Sequence, residues 1–491
     1  MNVIDKLISN STTIDTLTDF LKNELNSVYD LLLTTNYNDL KQERKRLETY
    51  ISQHLKIIKK LDFKITEIQI FVALLLEISE RFGFLMSFQR LYRILQKTDC
   101  KISHRVQAAS LYLINIKTIY DYKLRLDDIL DKLNESLEEE DNSSTIIITL
   151  LNYYSAVVYN FGQNNQSSVL EIKDLLSSKS NQQNYPFLNH PLITNALAYN
   201  VQANEETYNT IQTLLDNFLS EKKHYRHYIG DTFLIENQTD YKNSLKSVEP
   251  NFQVIRNLCS RAFYDLNDDN VFYTLGRGVE ILKEEKQLYS YIHSYGNMHY
   301  HKMMSAFDFL LSDIFKDNIS IIDWGCGQAL ASICLLEYMT AKGYKNNAKD
   351  VTLIEPSEIA LKRGALHVLK YNPNVELKTI NTDLDGLKKV YFNNFEERTN
   401  IHLFSNILDI YDFSLNNLLD LINDTFKGIN YFVCVSPYIN DSKTNRLNQF
   451  MNSFSNKDEF NVFAEIDNRQ QYEWKSNKKW TRVIRIFKVK I

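Results

Sequence analysis

The chain has 491 residues, of which 44% are hydrophobic and 24% charged, with a formal net charge of −5. That length predicts two or three domains with cores of ordinary size, and the balance is that of a folded protein without a global basic field for nucleic acid. The five cysteines, Cys100, Cys259, Cys326, Cys334 and Cys434, are dispersed and form no C-x-x-C pair, so neither a disulfide framework nor a zinc ribbon is suggested.

The opening residues, MNVIDKLISNSTTIDTL, have no basic lead and no long apolar core, which argues against a secretory signal. No apolar run approaches the ~20 residues that cross a bilayer. A reduced, cytoplasmic compartment with no membrane contact is the expectation. All six prolines lie beyond residue 185, and glycine before that point is limited to Gly83 and Gly162. So few breakers over such a length predict helix. RLETYISQHLKIIKKL, ITEIQIFVALLLEISERF, LMSFQRLYRILQKT and RVQAASLYLINIKTIYDY agree, placing apolar residues three and four apart as one buried helix face requires.

Residues 1–185 therefore read as a helical domain. Its successive helix pairs resemble tetratricopeptide-like solenoids in architecture, without a clean repeat signature; a compact helical domain without repeats is the alternative. LEEED at 137–141 reads as a solvated helix end or loop, and GQNNQSS and SSKSNQQNYP read as loops. Residues 186–284 read as a helical continuation or connector. There, PLITNALAYNVQ and TYNTIQTLLDNFLSE look helical, and YRHYIGDTFLIENQTDY leaves a strand open.

Near residue 318 the pattern changes. SIIDW, DVTLIEP, VELKTINTD, IHLFSNIL and NYFVCVSPYI alternate with helical segments, which predicts a parallel sheet covered by helices over 285–491. FNVFAEID and WTRVIRIFKVKI suggest a late antiparallel hairpin. The expected fold class is thus α/β, Rossmann-like and mostly parallel, preceded by an all-α domain.

The most informative stretch is Asp323-Trp324-Gly325-Cys326-Gly327-Gln328-Ala329, where an apolar run ends in an acid and glycines follow at alternate positions. A dinucleotide fingerprint needs a third small residue for close helix packing, and that position is Leu330. A P-loop needs Gly-Lys-Ser/Thr, which does not follow. The stretch instead resembles the first motif of class I S-adenosylmethionine-dependent methyltransferases, with Ala329 in place of the usual third glycine. That resemblance implies an acid helping to hold the methionine portion of the cofactor, while Gly325 and Gly327 let backbone approach it.

It further implies that Glu355, ending VTLIEP, accepts hydrogen bonds from both ribose hydroxyls. The interval from Gly325 exceeds the usual ~20 residues, and TAKGYKNNAKD reads as an insertion accounting for the excess. Asp383 or Asp385 would lie near the adenine amine, and Ser405 and Asn406 at the cofactor–substrate mouth. In the approach segment YIHSYGNMHYHKM, Tyr295 and Gly296 would line a lid over the cofactor, with His299 or Lys302 nearby. No carboxylate or cysteine completes a metal site with its histidines, so these read as core or surface residues and no metal is expected.

Each acid also has a plain reading: Asp323 a helix cap, Glu355 an ordinary strand exit, Asp383 a solvated turn acid. Their recurrence at successive strand ends, where open α/β sheets bind ligands, favours a site. The acceptor is not legible. Ser405-Asn406-Ile407-Leu408 replaces the Asp/Asn-Pro-Pro-Tyr/Phe pattern of amine-methylating nucleic-acid enzymes, and there is no Pro-Cys dipeptide. Asp409, Asp412 and Tyr438 are candidate substrate-side groups, with no catalytic base assignable. The leading expectation is a methyltransferase whose helical half recruits a protein or RNA partner, without a strong DNA-binding signal. A non-catalytic cofactor-binding regulator and an interaction scaffold are the alternatives.

Overall fold

The computed structural model describes residues 3–34, 37–98, 100–137, 144–162, 164–180, 185–199, 204–220, 228–230, 240–316, 318–344, 347–392, 399–473 and 479–491. The acidic run at 138–141, the centre of SSKSNQQNYP and most of YRHYIGDTFLIENQTDY lie outside them. The chain divides into two compact units, Met1–Lys223 and His224–Ile491. The division falls inside the segment expected as a connector, because helices on either side of it pack with different partners.

The first unit is helical: α1 (Val3–Asn10), α2 (Ile14–Tyr29), α3 (Tyr37–Gln42), α4 (Arg44–Ile58), α5 (Thr66–Arg81), α6 (Leu85–Leu95) and α7 (His104–Leu113) come first. Then follow α8 (Ile119–Leu124), α9 (Leu126–Ser136), α10 (Ser144–Phe161), α11 (Gln166–Ser180), α12 (Pro191–Ala198) and α13 (Asn204–Ser220). Side chains that compete with helix in the interior start these helices instead: Thr13 forms a capping box with Thr16, and Ser103 accepts the Val106 N–H. Helix α10 buries Ile146 to Leu151, Tyr153, Tyr154, Val157 and Val158, so it is apolar around most of its circumference and belongs at a core centre. Helices α5, α7, α8, α11, α12 and α13 touch it. Helix α13 also returns to α3, where Tyr37 Oη donates to Asp216 at 3.2 Å. Contacts between elements so far apart in sequence match the compact alternative better than a solenoid, whose repeats touch only neighbours.

A buried ion pair ties this core together. Arg105 Nη1 donates to Glu80 Oε2 at 2.6 Å, and Thr149 and Tyr112 donate to Glu80 Oε1 at 2.6 and 3.3 Å. Arg105 Nη2 also pairs with the less buried Glu77 at 3.2 Å, so Glu80→Ala leaves the guanidinium one weaker partner and deprives Thr149 and Tyr112 of their acceptor, and is expected to lower stability by about 3 kcal/mol. Replacing Glu80 and Arg105 together by Met and Leu should cost much less. Urea denaturation of the two variants measures the difference, and equal losses would show that the pair is not the cause.

The second unit begins with β1 (Tyr228–Gly230), α14 (Asp240–Lys246), α15 (Phe252–Leu266) and α16 (Glu285–Phe307). Next come β2 (Ile319–Trp324), α17 (Leu330–Ala341), β3 (Ala348–Ile354), α18 (Glu358–Tyr371), β4 (Glu376–Asn381) and β5 (Thr399–Ser405). It closes with α19 (Leu415–Thr425), β6 (Ile429–Ser436), α20 (Asp441–Asn452), β7 (Asn461–Glu473) and β8 (Lys479–Lys490). Among the described residues these strands form one sheet in the order β1-β4-β3-β2-β5-β6-β8-β7. Strands β4 to β6 of that order are mutually parallel, whereas β1, β8 and β7 each run antiparallel to their inner neighbour. The expected α/β fold, with its late antiparallel hairpin, is therefore present.

Alternation along the strands makes two cores. Ile319, Ile321, Val351, Leu353, Leu403 and Val433 face α16, α17 and α18, while Ile322, Trp324, Phe404 and Phe432 face α19 and α20. Trp324 stacks on Phe404 with centroids 5.5 Å apart and donates its indole N–H to His402 Nδ1 at 3.2 Å. Helix α14 joins this unit through Tyr241, whose hydroxyl lies 2.5 Å from His367 Nε2 of α18. From β2 the chain moves outward to β3 and β4, then crosses back to β5 and β6 on the other side. The carboxyl ends of β2 and β5 consequently flank a topological switch point, the place where such sheets hold ligands. Among the described residues, no helix is long and apolar enough to cross a membrane.

Candidate functional site

Past Trp324 the backbone turns through three left-handed residues, Gly325 at φ +62°, Gly327 at +53° and Ala329 at +58°. Glycine adopts that region freely, whereas alanine is strained there by about 1–2 kcal/mol. Ala329 is held by its surroundings: Gly364 of α18 presses so closely that a Cβ there would meet Ala329 N and Cβ at 3.1 Å. Ile407, in the loop after β5, seats on Gly325, whose added Cβ would lie 2.7 Å from Ile407 Cδ1. At Gly327 an added Cβ would meet nothing within 4 Å, so this residue has open space beside it.

Asp323 is 1% exposed, and its Oδ2 accepts Ser332 N–H at 3.1 Å and Ser332 Oγ–H at 2.7 Å. Ala329 occupies the N-cap of α17 and supplies no side-chain acceptor, so the strand's acid caps the helix in its place. The plain reading of Asp323 as a helix cap thus describes its contacts. Burial pushes its carboxyl up to about 7, against the Ser332 hydrogen bonds. A folded-state pKa raised above the unfolded value means that this group contributes stability below pH 4, lost as pH rises through about 7. Asp323→Asn keeps an oxygen acceptor for Ser332 and removes the charge. It should exceed the wild type in stability by about 2 kcal/mol at pH 8.5 and match it more closely at pH 5.5, by guanidinium denaturation. A pH-independent difference would exclude the buried charge as its origin.

Glu355 follows β3 and reaches back to the same turn. Its Oε2 accepts Gly327 N–H and its Oε1 accepts Ser357 N–H, both at 2.9 Å. The residue is only partly shielded, but its carboxylate lies deep, and burial raises it to about 7. Asn381 at the end of β4 donates to the carbonyls of Glu355 and Pro356 at 2.9 Å each, locking two strand ends together. Glu355 therefore bonds the glycine turn itself, and Asp323 the first turn of the helix that follows it. Asp383 lies just past β4, and its Oδ1 accepts Gly386 N–H at 2.6 Å within its own turn. Asp385 instead accepts the Ser414 N–H at 3.0 Å at the start of α19.

Helix α16 covers the turn. Gln328 Nε2 donates to Leu288 O at 3.0 Å, and Tyr291 Oη lies 3.2 Å from His299 Nε2. His299 Nδ1 lies 3.3 Å from Ser405 Oγ, and the Asn406 side-chain amide is 3.1 Å from His299 Nε2. Burial, with Lys302 adding to it, pushes His299 down to about 3, so its imidazole is neutral. Burial and then Glu355 push the Tyr291 hydroxyl upward, which places that ring within the acid's field. Tyr295 packs edge-on against Tyr291 with centroids 5.4 Å apart. Gly296 does not join this face. It sits against Phe252 of α15, 3.3 Å from an added Cβ, because one residue along a helix turns the side chain to a different neighbour.

The other histidines of α16 diverge: His293 Nδ1 lies 2.9 Å from Ser260 Oγ, and His301 stacks on Trp480 at 5.5 Å. Asp409 is buried and accepts Ser436 Oγ–H at 2.7 Å, near the carboxyl end of β6. Asp412 is exposed, and Tyr438 Oη donates to Asp441 at 3.2 Å. Gln328, Asn381, Gly364 and Ile407 are additional parts of the arrangement. Only Gly364 carried a readable signal, a lone glycine inside the helical pattern SEIALKRGALHVLKY, which marks close packing.

No family model and no curated protein matches the sequence. Solved structures similar to it include the plantazolicin methyltransferase BpumL in complex with SAH, at 12% identity and TM-score 0.30, over 48% of this chain and 99% of that one. TYW2 of M. jannaschii in complex with AdoMet matches at 14% identity and TM-score 0.26, over 43% of this chain and 85% of that one. An S-adenosylmethionine-dependent methyltransferase from Clostridium acetobutylicum matches at 10% identity and TM-score 0.26, over 42% of this chain and 98% of that one. The Rossmann-like arrangement of His224–Ile491 stands on its own strand order and register.

Proposed function

We propose that the second unit binds S-adenosylmethionine at the carboxyl ends of β2, β3 and β5 and transfers its methyl group to an acceptor. The observation that carries this reading is the meeting of Glu355 with the Gly325–Gly327 turn at the switch point. The residues present fit the cofactor. Gly327 leaves open the space a side chain would fill, and each oxygen of Glu355 accepts one backbone N–H, keeping acceptor capacity for a ribose hydroxyl. When bound, the cofactor supplies a methyl group activated by a sulfonium. The chain's own work is to orient and enclose: Glu355 holds the diol, the turn admits backbone to the ligand, and Tyr291, Tyr295 and His299 cover it. Asp323 keeps α17 in register with β2. Asp383, past the neighbouring strand, lies on the adenine side, and Ser405 with Asn406 forms the mouth.

The helical unit would recruit the acceptor or a protein or RNA partner. Its exposed Leu85, Met86, Tyr120 and Leu124 support that role. Calorimetry with S-adenosylmethionine should give micromolar binding to the full chain, and absence of heat would overturn the reading. Labelled methyl from the cofactor should then enter a component of a protein, RNA or small-molecule extract. Firm binding without incorporation would leave a binding protein and reject the transferase.

A further inference from the structure

Lys302 lies on α16 one turn past His299 and is 4% exposed. Its Nζ is fully shielded and, among the described residues, makes no hydrogen bond and no ion pair. A buried ammonium with three unused donors is costly unless something accepts from it. The surroundings do not neutralise it closely. Asp409 acts on Lys302 only through its field, has one oxygen engaged by Ser436, and also faces Arg446. One turn farther along α16, the buried Arg482 donates to Ser305 Oγ at 2.6 Å, adding a second cation on that side. His299, one turn earlier on α16, meets Ser405 at the end of β5, and Asp409, whose field acts on Lys302, meets Ser436 at the end of β6, so Lys302 belongs to the carboxyl ends of β5 and β6, the side that the proposed cofactor position leaves for the acceptor.

We infer that the methyl acceptor carries an anionic group, a carboxylate or a phosphate, which pairs with Lys302 beside Asp409. Such a group completes the orphaned donors with charge-assisted hydrogen bonds and fixes the acceptor relative to the cofactor. The inference rests on the cofactor-binding reading, and its test keeps the two apart.

The full-length protein is first titrated with S-adenosylhomocysteine, then, saturated with it, with sodium acetate, benzoate or inorganic phosphate. Sodium chloride at matched ionic strength is the control. Binding and thermal stability are read for the wild type and Lys302→Met. The wild type should respond saturably to a carboxylate, to phosphate or to both, which identifies the anion. Lys302→Met should still bind S-adenosylhomocysteine, weaken anion binding by about tenfold or more, and melt about 2–4 °C higher without ligand. If Lys302→Met loses the nucleoside, Lys302→Gln is judged by the same criteria. A wild type that binds the nucleoside but ignores every anion, or a variant that responds as the wild type does, overturns this inference alone. A wild type that does not bind the nucleoside overturns the underlying reading.

Discussion

Replacing Glu355 by Gln should weaken S-adenosylmethionine binding by roughly 100-fold, equivalent to about 3 kcal/mol. The substitution preserves size but removes the charge and one acceptor oxygen. Its amide also brings donors towards Gly327 N–H and Ser357 N–H, which the carboxylate accepts at 2.9 Å each. The turn and the ligand are thus disturbed together. The same carboxylate gives the interaction a pH dependence. Burial raises it to about 7, so below that pH it binds a proton and loses acceptor capacity. Affinity should therefore rise with pH through about 7, falling by up to about tenfold per unit on the acid side, and Glu355→Gln should flatten the profile. Isothermal titration between pH 5.5 and 8.5 measures both effects. Near-wild-type binding by Glu355→Gln would place the ligand elsewhere.

Gly325→Ala should be the most damaging single methyl addition in the second unit. The new Cβ must adopt φ +62° and come within 2.7 Å of Ile407 Cδ1 and 2.9 Å of Cγ1. Left-handed strain and overpacking together amount to about 3 kcal/mol, a fall in melting temperature on the order of 10 °C. Shortening Ile407 to Ala relieves the collision but not the backbone strain. The double variant should accordingly be more stable than the two single losses predict, by about 1 kcal/mol. Strict additivity in a thermal or urea series would show that Ile407 is not what glycine accommodates. Cofactor affinity should fall in Gly325→Ala and recover in part in the double variant, because the loop after β5 would again seat on the turn.

Much of this arrangement was legible before the fold was known. Runs such as IIDW, VTLI and IHLFS carry apolar residues at neighbouring as well as alternate positions, as strands covered on both faces do, and they became β2, β3 and β5. The scarcity of proline and glycine up to residue 185 marked the helical domain, and the alternation of strand-like and helical runs from near residue 318 marked the α/β part. The exact division at Lys223 and His224 depended on packing, since α12 and α13 contact α10 whereas α14 contacts α18. The turn acids were also legible as a set, but their partners were not. Glu355 meets the glycine turn, Asp323 caps the helix that follows it, Asp383 closes its own turn, and Gly296 serves the α15 interface.

The amino-acid sequence by itself determined the kinds of element, their order, and the strand-end acid followed by a glycine bend. Those are properties of neighbouring residues, set by side-chain shape, periodicity and φ preference. Tertiary structure alone decided that Asp323 caps α17, that Ile407 rests on Gly325, that His299 meets Ser405 across 106 residues of chain, and that the buried Lys302 Nζ makes no hydrogen bond among the described residues. Hydrogen bonds and charge desolvation depend on what lies within a few ångströms in space, and residues distant along the chain reach that proximity only when the two cores close.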